Sequence, residues 1–341
     1  MRLSARPELE WALETRLNAP EHRLCVAPMM DWTDRHCRYF LRQVSSSAFL
    51  YTEMITTGAL LHGNVERHLA FSAGEHPVAA QLGGSEPDEL ARCAKLVEQY
   101  GYDEVNLNIG CPSERVQRGA FGACLMAEPG LVADCVRAMR EAVKIPVTVK
   151  HRIGLNAGED FSFMERFVKT VSEAGCRTFI VHARNAVLKG LSPKENREIP
   201  PLKYDYVYRL KREFPALEIV LNGGLADAKP RPGVDGIMLG RAAYHDPWVL
   251  ADEGKTRPGV VRTMHAYASK QSSLRHVARH MLGLYHGHRR ARLWRRMLSD
   301  SARLSQNDPA LLLEAMEAVE SASSTENPHE RRTQAPQDQV G

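Results

Sequence analysis

Residues 78–109, VAAQLGGSEPDELARCAKLVEQYGYDEVNLNI, read as one full unit of a repeating pattern. A short apolar run, Val78–Leu82, gives way to an amphipathic helical stretch, Pro87–Tyr100, and a second apolar run follows at Val105–Ile109. Ser85 can cap the helix, Pro87 suits its first turn, and acids follow. The alternation continues in both directions. Further strand candidates are Leu24–Pro28, Phe49–Glu53, Val147–Lys150, Phe179–His182, Ile219–Asn222 and Gly236–Leu239, which makes eight. Helical stretches at Leu131–Val143, Phe161–Ala174 and Tyr204–Phe214 separate the later ones. The apolar runs are continuous rather than alternating, as expected of strands covered on both faces. Eight β/α units across residues 24–251 predict a closed α/β barrel, the (β/α)8 TIM barrel. An open doubly wound sheet is the alternative, but no GxGxxG follows the first strand.

Outside the barrel the chain changes character. The 341 residues fit one barrel of ~250 residues with a smaller satellite. After Asp252–Pro258 the pattern is wholly helical. Leu274, Val277, Ala278, Met281, Leu282 and Tyr285 recur at helical spacing and predict one helix with a single apolar stripe. Arg292, Arg295, Arg296 and Ser299 fall opposite Trp294, Leu298 and Ala302, and Leu311, Leu312, Ala315, Met316 and Val319 make a further helix. The expected organisation is an N-terminal extension (1–22), a barrel (23–254), a small all-helical domain (259–320) and a tail (322–341) whose polar composition predicts disorder.

With 43% apolar and 25% charged residues, the composition excludes a disordered chain, a collagen-like repeat and a coiled-coil rod. The net charge of +4 is unevenly placed. Residues 255–300 hold eleven Lys/Arg and one acid, whereas residues 1–254 carry a slight net negative charge. A basic arm on a near-neutral body reads as a footprint for a polyanion, and a solvated helical surface is the plainer reading. The seven cysteines include no CxxC pair, and their spacing fits neither a zinc ribbon nor a disulfide framework. Reduced thiols in a soluble cytoplasmic protein without a metal site are therefore expected. No apolar signal-peptide core and no run of ~18 apolar residues is present, so no membrane association is expected.

In such a barrel the working residues gather at the C-terminal ends of the strands. Those ends read Pro28-Met29, Glu53, Gln81, Asn106 to Cys111, Lys150, His182, Asn222-Gly223-Gly224 and Gly240-Arg241. The two glycine-rich ends follow strands seven and eight, where barrels hold a phosphate on backbone N–H groups; a pair of tight turns is the plainer reading. Lys150 at a buried strand end calls for an anionic partner, either a flavin, whose reduced form carries charge near N1, or a barrel carboxylate. His182 is as often a satisfied core residue as a ligand. Cys111 stands in a rim turn fixed by Gly110 and Pro112; a free thiol, with pKa ~8.5, is mostly protonated at neutral pH and suits a general acid. Cys124 reads as structural.

The runs Val26-Ala27-Pro28-Met29-Met30-Asp31-Trp32-Thr33-Asp34 and Leu107-Asn108-Ile109-Gly110-Cys111-Pro112-Ser113 closely resemble the tRNA-dihydrouridine synthases. Gly190-Leu191-Ser192-Pro193-Lys194-Glu195-Asn196-Arg197 and Arg292-Leu293-Trp294-Arg295-Arg296 point to the DusA subfamily, and the likeness spans roughly residues 22–320. The resemblance implies an FMN-dependent barrel with a helical tRNA-gripping domain, which reduces uridine at positions 20 and 20a of the D-loop and takes its electrons from NADPH. It implies that Ala27, Pro28, Met29, Gln81, Lys150, His182, Asn222, Gly223, Gly224, Gly240 and Arg241 hold FMN. By the same likeness Cys111 is the proton donor, and Asn108, Arg152, Lys194, Asn196 and Arg197 line the uridine pocket or touch RNA. Arg292, Arg295 and Arg296 are expected to grip tRNA, and a monomer is expected. The chain departs from the pattern at Leu225–Val234, a ten-residue link containing Pro230 and Pro232, shorter than the family's crossover helix there. The helical domain is also trimmed around Ser269–Leu274 and His286–Arg292. Two other readings remain: a flavin barrel acting on a free pyrimidine, and an inactive RNA-binding relative.

Overall fold

A computed structural model describes residues 22–156 and 160–321. The predicted tail lies outside the described residues, as does the predicted extension apart from His22. The chain divides into two compact units, with the boundary between Leu250 and Ala251.

The first unit is the predicted barrel. Its strands are β1 (Leu24–Val26), β2 (Leu50–Thr56), β3 (Val78–Gly83), β4 (Glu104–Ile109), β5 (Val147–Arg152), β6 (Thr178–His182), β7 (Glu218–Asn222) and β8 (Gly236–Leu239). All pair in parallel, in the order β1-β8-β7-β6-β5-β4-β3-β2. A parallel bridge between Cys25 and Phe49 closes the ring, with Val26 N–H donating to Phe49 O (2.9 Å) and Phe49 N–H to Leu24 O (2.8 Å).

Four of the crossover helices begin where the sequence supplies an acceptor or a proline. Asp34 caps α1 (Arg35–Val44), accepting from the His36 and Cys37 amides. Pro87 opens α2 (Pro87–Gln99) with Asp88 and Glu89 in its first turn, and Pro129 opens α3 (Pro129–Ala142). The residue before α2 is Glu86, which makes no side-chain cap, so the cap expected of Ser85 is not formed. Asp160 caps α4 (Phe161–Glu173), and α5 (Tyr204–Glu213) precedes β7. The link from β7 to β8 contains no helix, in keeping with its length and its two prolines, yet Val220, Leu221 and Asn222 still pair with Gly236, Ile237 and Met238.

The barrel interior is split. One part is apolar, formed by Cys25, Ala27, Phe49, Tyr51, Ala79, Ile180, Val220 and Met238. The other is polar. Every β4 residue is buried, but Glu104, Asn106 and Asn108 alternate with Val105, Leu107 and Ile109, and the three polar side chains bond to neighbours on β3 and β5.

The second unit is helical: α6 (Arg257–Ala268), α7 (Leu274–Ala278), α8 (Ala291–Leu298), α9 (Ser301–Ser305) and α10 (Ala310–Glu320). Its core includes Trp294, Tyr285, Met264, Val277, Leu312 and Val319. Two expectations need correction. The helix predicted through Tyr285 ends at Ala278, and residues 279–290 run as turns. There the Met281 carbonyl, which a continuing helix would bond to the Tyr285 amide, accepts from Trp294 Nε1 (2.8 Å). Ala302 is exposed rather than buried, because α8 stops and Asp300 caps a new helix. Arg292, Arg295, Arg296 and Ser299 are all exposed, opposite buried Trp294 and Leu298.

Candidate active site

The strand ends build a cationic mouth. Lys150 on β5 lies partly buried, its Nζ donating to Asn222 Oδ1 on β7 (3.1 Å), while Asn222 Nδ2 donates to Met238 O (2.7 Å). No carboxylate pairs with Lys150 among the described residues. Burial, reinforced by Arg152, lowers its pKa to about 7. Burial and the surrounding cations Arg152, Lys150, Arg184 and Arg197 push the His182 pKa well below the usual imidazole value, so its ring is neutral. Among the described residues, then, Lys150 forms no ion pair with a barrel carboxylate, and His182 lies beside the cations Arg152, Lys150, Arg184 and Arg197.

Glycine is required after β7. Gly223 has φ +114°, and a Cβ there would stand 2.7 Å from His182 Cδ2; Gly224 has φ +66° and a Cβ would stand 2.7 Å from Leu202 Cδ1. The Tyr204 hydroxyl holds this turn by donating to Gly223 O (2.5 Å). Beside it, Arg241 pairs with Glu198 (2.5 Å). Arg184, which the sequence reading passed over, donates to the carbonyls of Glu198 and Pro200, and its buried Nε has no partner. The signal was available, since Arg184 stands two residues beyond His182 on the same rim.

Next around the mouth, β1 pairs with β8 and runs into Ala27, whose amide donates to Leu239 O (2.8 Å), then Pro28 and Met29. Met29 packs on the apolar core, its amide bonded to Thr33 Oγ1 (2.9 Å). Gly240 opens the turn after β8, where a Cβ would only touch Ala27 and Met29.

Cys111 sits half-buried in a turn locked from several sides. Its amide and that of Gly110 both donate to Asn108 Oδ1 (3.0 Å each). Its carbonyl accepts from the Ala123 amide (3.0 Å), and Arg152 Nε donates to Gly110 O (3.2 Å). Cys111 lies within electrostatic reach of Lys150, Arg152 and Arg197. The other cysteines are buried except Cys124, whose thiol donates to Phe121 O (3.1 Å).

The loop carrying Ser192 to Arg197 folds on its own capping contacts. Ser192 N–H donates to Glu195 Oε2, and Glu195 N–H donates to Ser192 Oγ. Lys194 and Arg197 are exposed. Asn196, expected in the pocket or on RNA, is instead fully buried: its Oδ1 accepts from Val187 N–H, and its Nδ2 donates to the carbonyls of Val187, Leu191 and Ser192. A short amide that satisfies four backbone groups shapes the loop and has no face left for a ligand. Arg152 is likewise buried, donating to the carbonyls of Gly110, Asn185 and Asn196 and tying this loop to the Cys111 turn.

The donor set suits an anionic ligand with a phosphate: a lysine with no carboxylate partner among the described residues, an orphaned guanidinium nitrogen and a turn without Cβ atoms. FMN, the cofactor implied by the sequence likeness, fits these residues. Among the described residues no cluster of three His, Cys, Asp or Glu side chains gathers as a metal site, and no helix is long and apolar enough to cross a membrane.

Comparison with known proteins agrees with the geometry. Over 319 residues the chain is 53% identical to the tRNA-dihydrouridine(20/20a) synthase of Pseudomonas putida, covering 88% of this chain and 95% of that one. The proteins of the same name from Salmonella typhi and Escherichia coli K12 are each 54% identical, covering 90% and 87% of this chain and 98% and 91% of theirs. Among solved structures, a complex of 2-naphthoyl-CoA reductase shares the fold with a TM-score of 0.50 and 10% identity, covering 67% of this chain and 49% of that one. A family model described as dihydrouridine synthase (Dus) matches residues 25–323, almost the whole described chain, and the protein belongs to that family.

Proposed function

We propose that this protein reduces uridine to 5,6-dihydrouridine in tRNA, with FMN as its flavin and NADPH as the reductant. The observation that carries the reading is the presence, on one barrel rim, of Lys150, held by Asn222 and with no carboxylate partner among the described residues, and of the locked Cys111 turn. The relatives named above, tRNA-dihydrouridine(20/20a) synthases, support uridines 20 and 20a as the sites.

In this reading Lys150 and neutral His182 face the flavin ring together with Gln81, Asn222 and the Ala27-Pro28-Met29 segment. The amides of Gly223, Gly224 and Gly240, with Arg184 and Arg241, hold its phosphate. When bound, FMN supplies hydride to C6 of the uracil ring. Charge that develops toward C5 and the O4 carbonyl is met by a proton from the Cys111 thiol, which the locked turn holds at the rim. Asn108 and Arg152 fix that turn, and exposed Lys194 and Arg197 line the approach to the pocket. A uridine within folded tRNA must leave its stack to reach a barrel mouth, at a cost of a few kcal/mol. Arg292, Arg295 and Arg296 on the helical unit offset that cost through phosphate contacts, which set register without reading sequence.

The test is incubation of the purified protein with unmodified tRNA transcript, FMN and NADPH, followed by mass spectrometry of RNA fragments. A gain of two hydrogens at D-loop uridines together with a flavin absorption spectrum supports the reading. Reduction of free uridine in place of tRNA, or a protein that refuses added FMN, overturns it.

A further inference from the structure

Beneath the mouth, an unbroken column of hydrogen bonds descends through the barrel. It begins at the Cys111 amide, which donates to Asn108 Oδ1 (3.0 Å). Asn108 Nδ2 donates to Gln81 Oε1 (2.7 Å), and Gln81 Nε2 donates to Asn106 Oδ1 (2.7 Å). Asn106 Nδ2 then donates to Thr148 Oγ1 (2.8 Å), and the Thr148 hydroxyl donates to Glu104 Oε1 (2.6 Å). Each of these side chains is buried. At its lower end Glu104 also accepts from the Tyr51 hydroxyl on Oε1 (3.0 Å) and from His22 Nε2 on Oε2 (2.6 Å).

Every bond in the column points the same way, and its two ends enforce this. A backbone N–H can only donate, and a carboxylate can only accept. With Asn108 Oδ1 committed to the amides of Gly110 and Cys111, its NH2 must face Gln81 Oε1, and the constraint passes down the column. If any amide turned over, two NH2 groups or two carbonyl oxygens would face each other in a buried site. Glu104 therefore lies four side chains from the Cys111 turn and still determines which atom of Asn108 meets it.

We propose that Glu104 is a positioning residue that fixes the Cys111 turn through Thr148, Asn106, Gln81 and Asn108. The role is separate from charge balance, which His22 supplies at the other oxygen of Glu104. It rests on the reading of Cys111 as the proton donor for its catalytic meaning, but not for its test. Glu104 touches neither the mouth nor Cys111.

Two nearly isosteric substitutions separate positioning from simple stability. Thr148→Val cuts the column at its link to Glu104, whereas Tyr51→Phe removes another buried hydroxyl from the same Glu104 oxygen and leaves the column whole. The full-length FMN-loaded protein and its two variants are treated with iodoacetamide, and alkylation of the Cys111 peptide is timed by mass spectrometry. Thr148→Val should speed alkylation ~5-fold, the factor of one net hydrogen bond, and shift the visible flavin band. Its kcat should fall with the KM for tRNA unchanged, while Tyr51→Phe tracks the wild type in all three. Equal alkylation rates and spectra in the two variants, changed or unchanged, overturn the proposal. Failure of Cys111 as acid would show separately, as undiminished turnover in Cys111→Ala, and would leave the alkylation result intact.

Discussion

Lys150 links FMN binding to a proton. Burial and Arg152 hold its pKa at about 7, so at pH 8 it is ~10% protonated. An anionic flavin beside it restores the ammonium, and binding at pH 8 should take up ~0.9 proton. Affinity for FMN should then fall nearly tenfold per pH unit above 7 until the bound lysine itself begins to titrate. His182 stays neutral at this pH and contributes little. The assay is calorimetric titration of FMN into flavin-free protein at pH 8, in HEPES and in Tris, whose different ionisation heats reveal the protons exchanged. The Lys150→Met variant should show no uptake and a flat pH dependence. Zero uptake by the wild type, or equal uptake by Lys150→Met, would refute the reasoning. Folding carries the same linkage. The unfolded lysine keeps its proton up to its ordinary value while the folded one gives it up at about 7, so between these limits Lys150 makes flavin-free stability rise with pH.

Cys111→Ala should keep its flavin colour and tRNA affinity but lose ~10²–10⁴-fold in dihydrouridine formation, measured by mass spectrometry of the tRNA. Arg295→Ala with Arg296→Ala should weaken tRNA binding and lower the slope of log affinity against log salt by ~0.7–0.9 for each phosphate no longer neutralised, leaving NADPH oxidation by the flavin unchanged. Burial lowers the His22 pKa, but Glu104 and Glu218 outweigh it and raise the value to about 10. Its stabilisation is thus full below ~6.5 and is lost as pH rises through about 10, opposite in sign to the Lys150 effect. His22→Gln should cost ~3–5 kcal/mol at pH 6, with the deficit against wild type shrinking toward pH 10 in denaturant melts. Gly223→Ala places a methyl against His182 at φ +114° and should cost ~2 kcal/mol or more while weakening FMN binding, read by thermal melts and fluorescence titration.

The barrel was legible because eight apolar runs alternate with helical stretches, and all eight runs overlap observed strands. The rim was legible because polar residues and glycines stand where those runs end. The polar interior was not. Along β4 the apolar Val105, Leu107 and Ile109 dominate the reading, and Asn106 and Asn108 look like interruptions, although the strand turns its polar face inward. His22 was assigned to the extension because no local pattern marks it; its partners Glu104 and Glu218 lie 82 and 196 residues away. The turn structure of residues 279–290 escaped for a related reason. Met281 and Tyr285 are buried as their spacing predicts, but the Met281 carbonyl is committed to Trp294 and the backbone that follows it bonds in turns. Asn196 was misread because its motif marks a site, while burial makes it the internal brace of that site.

The β7–β8 link shows that the barrel needs pairing and register at this position, and a covering helix there is dispensable. The interior column imposes a stricter rule. Because its bonds share one direction, its members are exchangeable only as a set. A substitution that reverses one amide is penalised at both neighbours, and a second substitution can relieve what the first imposed. Change at Gln81, Asn106, Asn108 and Thr148 is thus expected to be strongly epistatic, so that over evolutionary time this column drifts as a single block while the apolar half of the same interior drifts residue by residue.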